Sequence, residues 1–286
     1  MKAVSTSALH IRFMKKHELA HGIEWAAYEG WNPGLNDSET FFDTDPQGFL
    51  LAEIDQEPVG MISCVRYGLD FGFIGFFIVT PAFRGRGHGL ALWQAAVAHL
   101  GGRLIGLDGV VAQQANYRKS GFVWAHNNLR MQGMTTTKGP VHKGVVALET
   151  VHAEQVVQYD AAMFPGERGT FVRRWIQQQG SVALGFWHHH HLLGYGVIRP
   201  CRVGFKVGPL FADDSTVANE LFNALMSRVP AGEQVQLDIS EDSEPARELA
   251  RFWGMQAVFQ TARMYTGLMP VFDQHRQFGV TTFELG

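Results

Sequence analysis

The spacing of apolar residues divides the first half of the chain into alternating helical and strand patterns. Leu19, Ile23 and Ala26 recur at helical intervals, and Gly30 ends their segment. A dense apolar run over residues 71–79 is typical of a central strand that is buried on both faces. The pattern predicts, in order, a helix over 17–30, strands over 48–54, 59–67 and 71–79, a helix over 90–100, a strand over 104–110 and a short helix over 113–120.

The second half repeats this order of elements, which indicates an internal duplication. Asp108 in the first half corresponds to Asp238 in the second, and Arg130 corresponds to Arg263. The interval from the glycine that ends the last helix to the following methionine is also the same in both copies. The pattern predicts a strand over 203–210, a helix over 216–228, a strand over 235–239, a helix over 245–252 and a final strand.

A chain of 286 residues has room for two domains of ordinary size. We predict an α+β fold with a mixed α/β sheet, divided into domains over residues 1–137 and 138–286. The join lies in a polar stretch that contains Gly139 and Pro140. Hydrophobic residues make up 46% of the chain, which is enough for a sizeable core.

Charge and cysteine content narrow the possible partners. The formal net charge is −3, so the chain lacks the basic surface that nucleic acid or an anionic membrane would require. Two cysteines, Cys64 and Cys201, provide no disulfide framework. Residues 1–13 lack the apolar stretch of a secretory signal, and no run approaches the ~20 apolar residues that span a bilayer. We therefore predict a cytoplasmic protein with neither nucleic acid nor membrane as partner, and make no prediction of its oligomeric state.

The clearest chemical signal is a glycine-rich loop between the central strand and the next helix. Residues 84–89 have the sequence Arg-Gly-Arg-Gly-His-Gly. Glycine permits positive φ and lets backbone N–H groups converge on one point. A helix start adds unpaired N–H groups and a partial positive charge, and the two arginines add more. The segment is therefore predicted to bind phosphate or pyrophosphate.

Other interpretations of this loop have different consequences. An isolated Gly-Arg-Gly sequence is also found in solvated turns that bind nothing. A Walker loop needs Gly-Lys-Ser/Thr, which the chain does not contain. The dinucleotide-binding fingerprint has similar glycine spacing and needs an acidic residue after the next strand. Asp108 lies within that strand, which keeps an oxidoreductase as an alternative.

Two short motifs lie in register along the first half. Arg84, Gly87 and Gly89 fit the pattern Arg/Gln-x-x-Gly-x-Gly/Ala, and residues 117–122 fit Tyr-x-Lys-x-Gly-Phe. With this order of elements, the chain resembles the GNAT superfamily (GCN5-related N-acetyltransferases) over roughly residues 10–133. The resemblance implies a tandem GNAT protein with two GNAT-like domains, the second degenerate.

The resemblance implies acetyl-CoA as co-substrate, and no metal. The pantetheine arm would pair with the backbone of Phe77, Ile78 and Val79, where an N–H can polarise the thioester carbonyl. The pyrophosphate would be held by Arg84, Gly85, Arg86, Gly87, His88 and Gly89. Val110 stands near the position where the family often has Asn, which leaves Gln113, Gln114 or Asn116 for a further cofactor contact, and we select Asn116.

The same resemblance suggests roles in catalysis and acceptor binding. Tyr117 occupies the position of the family's general acid, which protonates the departing thiolate; the alternative is a packed aromatic residue. Glu29 would orient or deprotonate the acceptor amine, unless it is only a solvated residue in a helix-ending turn. Trp31, Asn32 and Asp108 are predicted to line the acceptor pocket, although the counterpart of Asp108 in the second copy also suggests a structural role.

The second copy and a histidine run complete the prediction. Asp213 and Asp214 stand where the first copy has arginines, and negative charge repels phosphate, so this copy should not hold CoA. Either aspartate, or Ser215, is expected to cap the following helix.

Residues 188–191 are four histidines. Consecutive side chains on a strand alternate between faces, so we interpret the run as an exposed hairpin tip rather than a metal site.

These inferences predict an N-acetyltransferase that transfers an acetyl (acyl) group from acetyl-CoA to the amine of a small molecule or amino acid. A covering second domain favours a small acceptor over a peptide. Acetylation of a protein N-terminus or lysine stays open as an alternative within the class. A non-catalytic module that binds CoA or a nucleotide is the alternative outside it.

Overall fold

The computed structural model describes residues 8–149 and 152–286, so residues 1–7 of the segment that lacks a secretory-signal pattern lie outside the described residues. The strands are β1 (Leu9–Phe13), β2 (Phe49–Ile54), β3 (Glu57–Tyr67), β4 (Phe71–Val79), β5 (Leu104–Val110), β6 (Val123–Met134), β7 (Val145–Ala147), β8 (Val182–His188), β9 (His191–Pro200), β10 (Phe205–Ala212), β11 (Gln234–Ser240), β12 (Gln256–Tyr265) and β13 (Gln277–Gly279). The helices are α1 (Leu19–Tyr28), α2 (Asp37–Thr44), α3 (His88–Leu100), α4 (Gln114–Lys119), α5 (Ala153–Asp160), α6 (Gly169–Trp175), α7 (Ser215–Met226) and α8 (Glu244–Phe252).

Within the described residues, all of these strands belong to one mixed sheet. The order across the sheet is β1-β2-β3-β4-β5-β12-β6-β11-β10-β9-β8-β7, and β13 pairs with β10. β12 of the second half therefore lies against β5 of the first, and β6 of the first half lies against β11 of the second. The two halves exchange equivalent strands at the centre of the sheet, which confirms the mixed α/β fold and the internal duplication.

Two buried ion pairs join the exchanged strands. Asp108 is the register partner of Arg263, and its carboxylate accepts hydrogen bonds from Nε and Nη2 at 2.8 and 2.6 Å. Asp238 is the register partner of Arg130, with both bonds at 2.8 Å. These are the four residues that the duplication aligns. Each pair holds a strand of one half on a strand of the other.

Three clusters of buried side chains hold the sheet to its helices. One packs β2–β5 and β12 against α3 and α4, and a second packs β8–β11 against α7 and α8. The third combines α1 and α2 with α5 and α6 on the opposite face, so both halves share it. The pair of Asp37 and Arg199, each side chain 1% exposed, further fixes α2 to β9.

Most of the predicted elements are confirmed, and the differences are local. The elements that were not predicted are β1, α2, β7, α5 and α6. The predicted final strand is confirmed as β12, and beyond the short β13 the chain forms a turn. The histidine run forms an exposed hairpin tip, with positive φ at His189 and His190, as the alternation of side chains predicts. None of the described helices is both long and apolar enough to cross a bilayer.

Candidate active site in the first half

The central crevice opens where β4 and β5 separate. The two parallel strands pair only from Phe71 to Ile74 on β4. Phe76 then adopts a φ of 43°, and the register between β3 and β4 shifts nearby. From Gly75 to Val79, the edge of β4 that faces β5 has no strand partner within the described residues. Apart from the Val79 carbonyl, which accepts from Nε of Arg84, its backbone groups can pair with an extended ligand.

A cavity of about 460 Å³ occupies this crevice. Its walls come from β4, β5, the glycine loop and α4, together with residues of the second half. The lining residues are Glu29, Trp31, Ile74, Gly75, Phe76, Phe77, Ile78, Val79, Phe83, Arg84, Gly85, Gly89, Trp93, Leu107, Asp108, Gly109, Val110, Gln113, Tyr117, Arg130, Phe259, Thr261, Phe283 and Glu284.

The glycine loop delivers an uncapped helix end to one end of the crevice. Gly85 and Gly87 have φ values of 74° and 87°, which L side chains rarely adopt. Gly87 is the N-cap of α3, and within the described residues no side chain accepts from the first N–H groups of that helix. A Cβ added at Gly89 would lie 3.4 Å from the ring of Phe77, so this glycine lets α3 pack closely on β4. The loop therefore presents unpaired N–H groups to an anion.

The corresponding place in the second half is closed by the chain itself. Asp214 caps α7, because its carboxylate accepts from the N–H groups of Thr216 and Val217 at 2.8 and 2.9 Å. β13 pairs with β10 where β10 and β11 separate. The predicted cap is thus confirmed at Asp214. The strand edge that is open in the first half is filled in the second.

Tyr117 lies at the wall formed by β5 and α4. Its ring packs 5.4 Å from that of Trp93, and a Cβ at Gly109 would overlap it. The side chain is 8% exposed, and burial raises the pKa of its phenol to about 12. Within the described residues, no group hydrogen-bonds to its hydroxyl. The hydroxyl is therefore protonated at neutral pH and available to donate.

Glu29 and Arg84 meet across the mouth of the cavity. Glu29 is the C-cap of α1, and its carboxylate accepts from Nη2 of Arg84. Nε of the same arginine donates to the carbonyl of Val79 at 2.8 Å. Both side chains are partly exposed. The arginine predicted for the pyrophosphate thus links the glycine loop to the helix that carries the predicted base.

Asp108 lines the cavity but is held within the sheet. Besides its pair with Arg263, it accepts from Nδ2 of Asn128 at 2.8 Å. Burial raises the pKa of Asp108, and the charge of Arg263 opposes that rise. Because its oxygens are engaged by the strands on either side, its contacts are structural, as the correspondence with Asp238 suggests.

Some predicted site residues lie away from the cavity lining. The Asn32 amide donates to the Val203 carbonyl and to Gln236, and its oxygen accepts from the Val203 N–H. This side chain therefore joins the two halves. Asn116 donates to Gln113, which itself lines the cavity. Arg86, Gly87 and His88 lie in the glycine loop outside the lining.

The far wall of the cavity, which the second half and the exchanged strands provide, was not predicted from the sequence. Arg130 donates to the carbonyl of Trp31 at 2.6 Å and lies over the rings of Phe259 and Phe283, at 5.6 and 5.0 Å from their centroids. Glu284 lies beside them. Only Arg130 carried a signal in the sequence, through its place in the repeat. In the described residues no group of three or more His, Cys, Asp or Glu side chains is placed to hold a metal ion.

Both halves match family models. Residues 16–122 match a model described as an acetyltransferase (GNAT) family, and residues 156–279 match one described as an acetyltransferase (GNAT) domain. The chain is 31% identical over 268 residues to a holothin acyltransferase of Pseudoalteromonas sp. (strain SANK 73390). That alignment covers 92% of this chain and 90% of the relative.

Solved structures share the fold. A putative acetyltransferase from Pyrococcus horikoshii superposes with a TM-score of 0.84 at 22% identity, covering 100% of this chain and 99% of that one. A tandem GNAT protein from the clavulanic acid biosynthesis pathway superposes with a TM-score of 0.64 at 14% identity, covering 92% and 100%. At these identities, the likeness concerns the fold.

Proposed function

Because this chain belongs to the GNAT superfamily, with two GNAT copies in one chain and an acyltransferase as relative, we propose that it transfers an acetyl group from acetyl-CoA to the amine of a small molecule. GNAT proteins use acyl-CoA. Our proposal adds three points to this: the donor is acetyl-CoA, the transfer is to nitrogen, and the acceptor is a small molecule. One contrast carries it: α3 begins without a side-chain cap beside an open strand edge, whereas α7 is capped by Asp214 beside an edge that β13 fills.

The first half has the features needed to bind the acyl donor. The N–H groups at the start of α3 and the arginines of the loop suit a pyrophosphate. The edge of β4 from Val79 back to Gly75 suits an extended arm that carries amides, because β5 does not pair with this stretch and only the Val79 carbonyl is engaged, by Arg84. An arm that starts at the loop and follows this edge would bring the thioester towards Gly75. We propose that the second half binds no CoA.

The chemistry requires one bond to form and one to break. The neutral acceptor nitrogen attacks the thioester carbon, the C–N bond forms, and the C–S bond breaks. The nitrogen loses one proton, and the departing thiolate gains one. We propose that the hydroxyl of Tyr117, which lines the cavity, supplies the second proton. Alignment of both reactants in the crevice can contribute about 7–11 kcal/mol to the rate.

The walls of the cavity favour a small acceptor over a protein chain. β12 and the C-terminal tail cover the side of the crevice opposite the glycine loop. The Pseudoalteromonas relative is named as a holothin acyltransferase, so holothin is the first acceptor to assay. Acetylation of a protein terminus or lysine stays the alternative within the class. It predicts turnover with peptides that exceeds turnover with small amines.

Calorimetric titration with acetyl-CoA tests the donor site. The Gly87→Glu variant places a strained residue and a negative charge at the start of α3, where φ is 87°. Gly102→Glu is the matched control, because Gly102 has a φ of 76° and equally open surroundings just beyond the other end of α3. We expect micromolar or tighter binding in the wild type and the control, and at least about a hundredfold weaker binding in Gly87→Glu. A wild type that binds no acyl-CoA would contradict the proposal.

A further inference from the structure

The C-terminal tail holds an acidic side chain at the end of the cavity away from the glycine loop. The Glu284 backbone lies directly against β4, where a Cβ at Gly75 would overlap the Glu284 carbonyl oxygen. The hydroxyl of Ser63 donates to that oxygen at 3.3 Å, and the hydroxyl of Tyr67 donates to the carbonyl of Leu285 at 2.9 Å. These contacts fix Glu284 against Gly75, which immediately precedes Phe76, the residue of positive φ at which the crevice opens.

The Glu284 carboxylate is buried and has no hydrogen-bonding partner. Its residue is 4% exposed and lines the cavity, yet within the described residues nothing donates to its side-chain oxygens. Burial of an unpaired carboxylate is costly. Its charge helps to raise the pKa of Arg130 and of Arg199 and opposes the lowering of the pKa of Lys206, but no hydrogen bond joins it to any of these buried cations within the described residues. The oxygens of Glu284 are therefore available to an N–H group of a ligand.

Aromatic side chains surround this carboxylate. Trp31, Phe259 and Phe283 line the same end of the cavity, and the centroids of the two phenylalanine rings are 6.5 Å apart. Arg130 holds all three, through the Trp31 carbonyl and through the faces of the two rings. Aromatic rings pack favourably on other rings. This end of the cavity thus combines aromatic side chains with the carboxylate of Glu284.

We propose that Glu284 binds the amine of the acceptor, and that Trp31, Phe259 and Phe283 select an amine whose carbon skeleton carries an aromatic or heteroaromatic ring. This inference rests on the proposed acyl transfer, which places the thioester near Gly75. Glu284 accepts a hydrogen bond from the attacking nitrogen and takes the proton that this nitrogen loses as the C–N bond forms. The thiolate released from the broken C–S bond takes its proton from Tyr117.

Glu284→Gln tests the carboxylate. The variant keeps the size of the side chain and removes its negative charge, so kcat/KM for 2-phenylethylamine should fall at least about tenfold while the Kd for acetyl-CoA stays within about twofold. Glu284→Asp should recover part of the loss. Glu248→Gln, on the exposed face of α8, is the matched control and should behave as wild type. Unchanged kinetics in Glu284→Gln would overturn the role of the carboxylate.

A pair of matched amines tests the aromatic selection. 2-Phenylethylamine and 2-cyclohexylethylamine carry the same aminoethyl group and differ in the planarity of the ring. We expect kcat/KM to favour the phenyl compound at least about tenfold in the wild type. Phe283→Leu and Phe259→Leu should bring that ratio towards one. Equal rates with the two amines, or turnover of neither by a protein that binds acetyl-CoA, would overturn the aromatic class.

The outcomes separate this inference from the proposed function. If the wild type does not bind acetyl-CoA, the proposed acyl transfer fails first. If it binds acetyl-CoA and acetylates aliphatic amines as well as aromatic ones, only the acceptor class fails. If Glu284→Gln lowers the melting temperature and the binding of acetyl-CoA together, Glu284 serves the fold, and its assignment to the acceptor is wrong.

Discussion

At the scale of single residues, Tyr117 is held in place and keeps its proton, although burial also makes its phenol a weaker acid than a thiol. Its ring is fixed by contact with Trp93 and by the absence of a side chain at Gly109, and burial raises its pKa to about 12. A phenol with this pKa keeps its proton throughout the range in which the protein folds. Acid–base side chains typically contribute about 10²–10⁴-fold to a rate, but a thiolate is a fair leaving group and needs less help.

Tyr117→Phe should therefore lower kcat by roughly tenfold or more and leave the Kd for acetyl-CoA within about twofold. Steady-state kinetics and calorimetry measure the two quantities. Tyr28→Phe removes the same hydroxyl from a side chain that is 87% exposed, and it should have no effect. If Tyr117→Phe retains full kcat, Tyr117 is a packed aromatic residue without a part in proton transfer.

The free energy of unfolding should depend on pH through the buried side chain of His126. Burial, together with the charge of Arg263, lowers its pKa from 6.5 to about 4. Below pH 6.5 the unfolded chain therefore takes up a proton that the folded chain does not, and the free energy of unfolding falls as the pH decreases towards 4. The shift corresponds to about 3 kcal/mol.

Replacing His126 with Gln should remove most of that acid-dependent loss. The measurement is the difference in free energy of unfolding between pH 7 and pH 4, from urea denaturation. The exposed His275 provides the control variant, His275→Gln, which should keep the wild-type dependence. An equal dependence in His126→Gln would place the acid sensitivity in other groups.

At the scale of elements, prediction succeeded where the signal was local. The glycine loop and the apolar run of β4 are contiguous in sequence, so residues 71–89 could be assigned to a strand, a loop and a helix start. The cap at Asp214 follows from the chemistry of the four residues around it. β1 is only five residues long, and its burial depends on pairing with β2. A strand of that kind leaves almost no pattern of its own.

The far wall of the cavity could not be predicted, because it depends on contacts between distant parts of the chain. Phe259 and Glu284 reach the site through the exchange of β12 and through the contact of the tail with Gly75. Neither lies near a motif of the first half. The acceptor contact of Asn32 stays a prediction, and the sequence did not reveal that Val203 and Gln236, more than 170 residues away, engage its amide.

At the scale of the whole molecule, the strand exchange makes each half incomplete alone. A fragment of residues 1–137 would contain β5 and β6 but not β12, which lies between them. Asp108 would lose Arg263 and become a buried, unpaired carboxylate. We expect this fragment to show no cooperative thermal transition by circular dichroism, and a mixture with residues 138–286 to recover one. A lone fragment that melts cooperatively and binds acetyl-CoA would contradict this expectation.

The exchange of β6 and β12 also has the form of a domain-swapped dimer. Two identical one-copy chains that exchanged their last strands would produce the same strand order at the centre of the sheet. The two ion pairs would then be symmetry-related copies of one pair. Covalent fusion removes the requirement that the two copies stay identical. One copy can then keep the donor crevice while the other fills its own and forms the opposite wall. The two identical chains of a symmetric dimer cannot differ in this way.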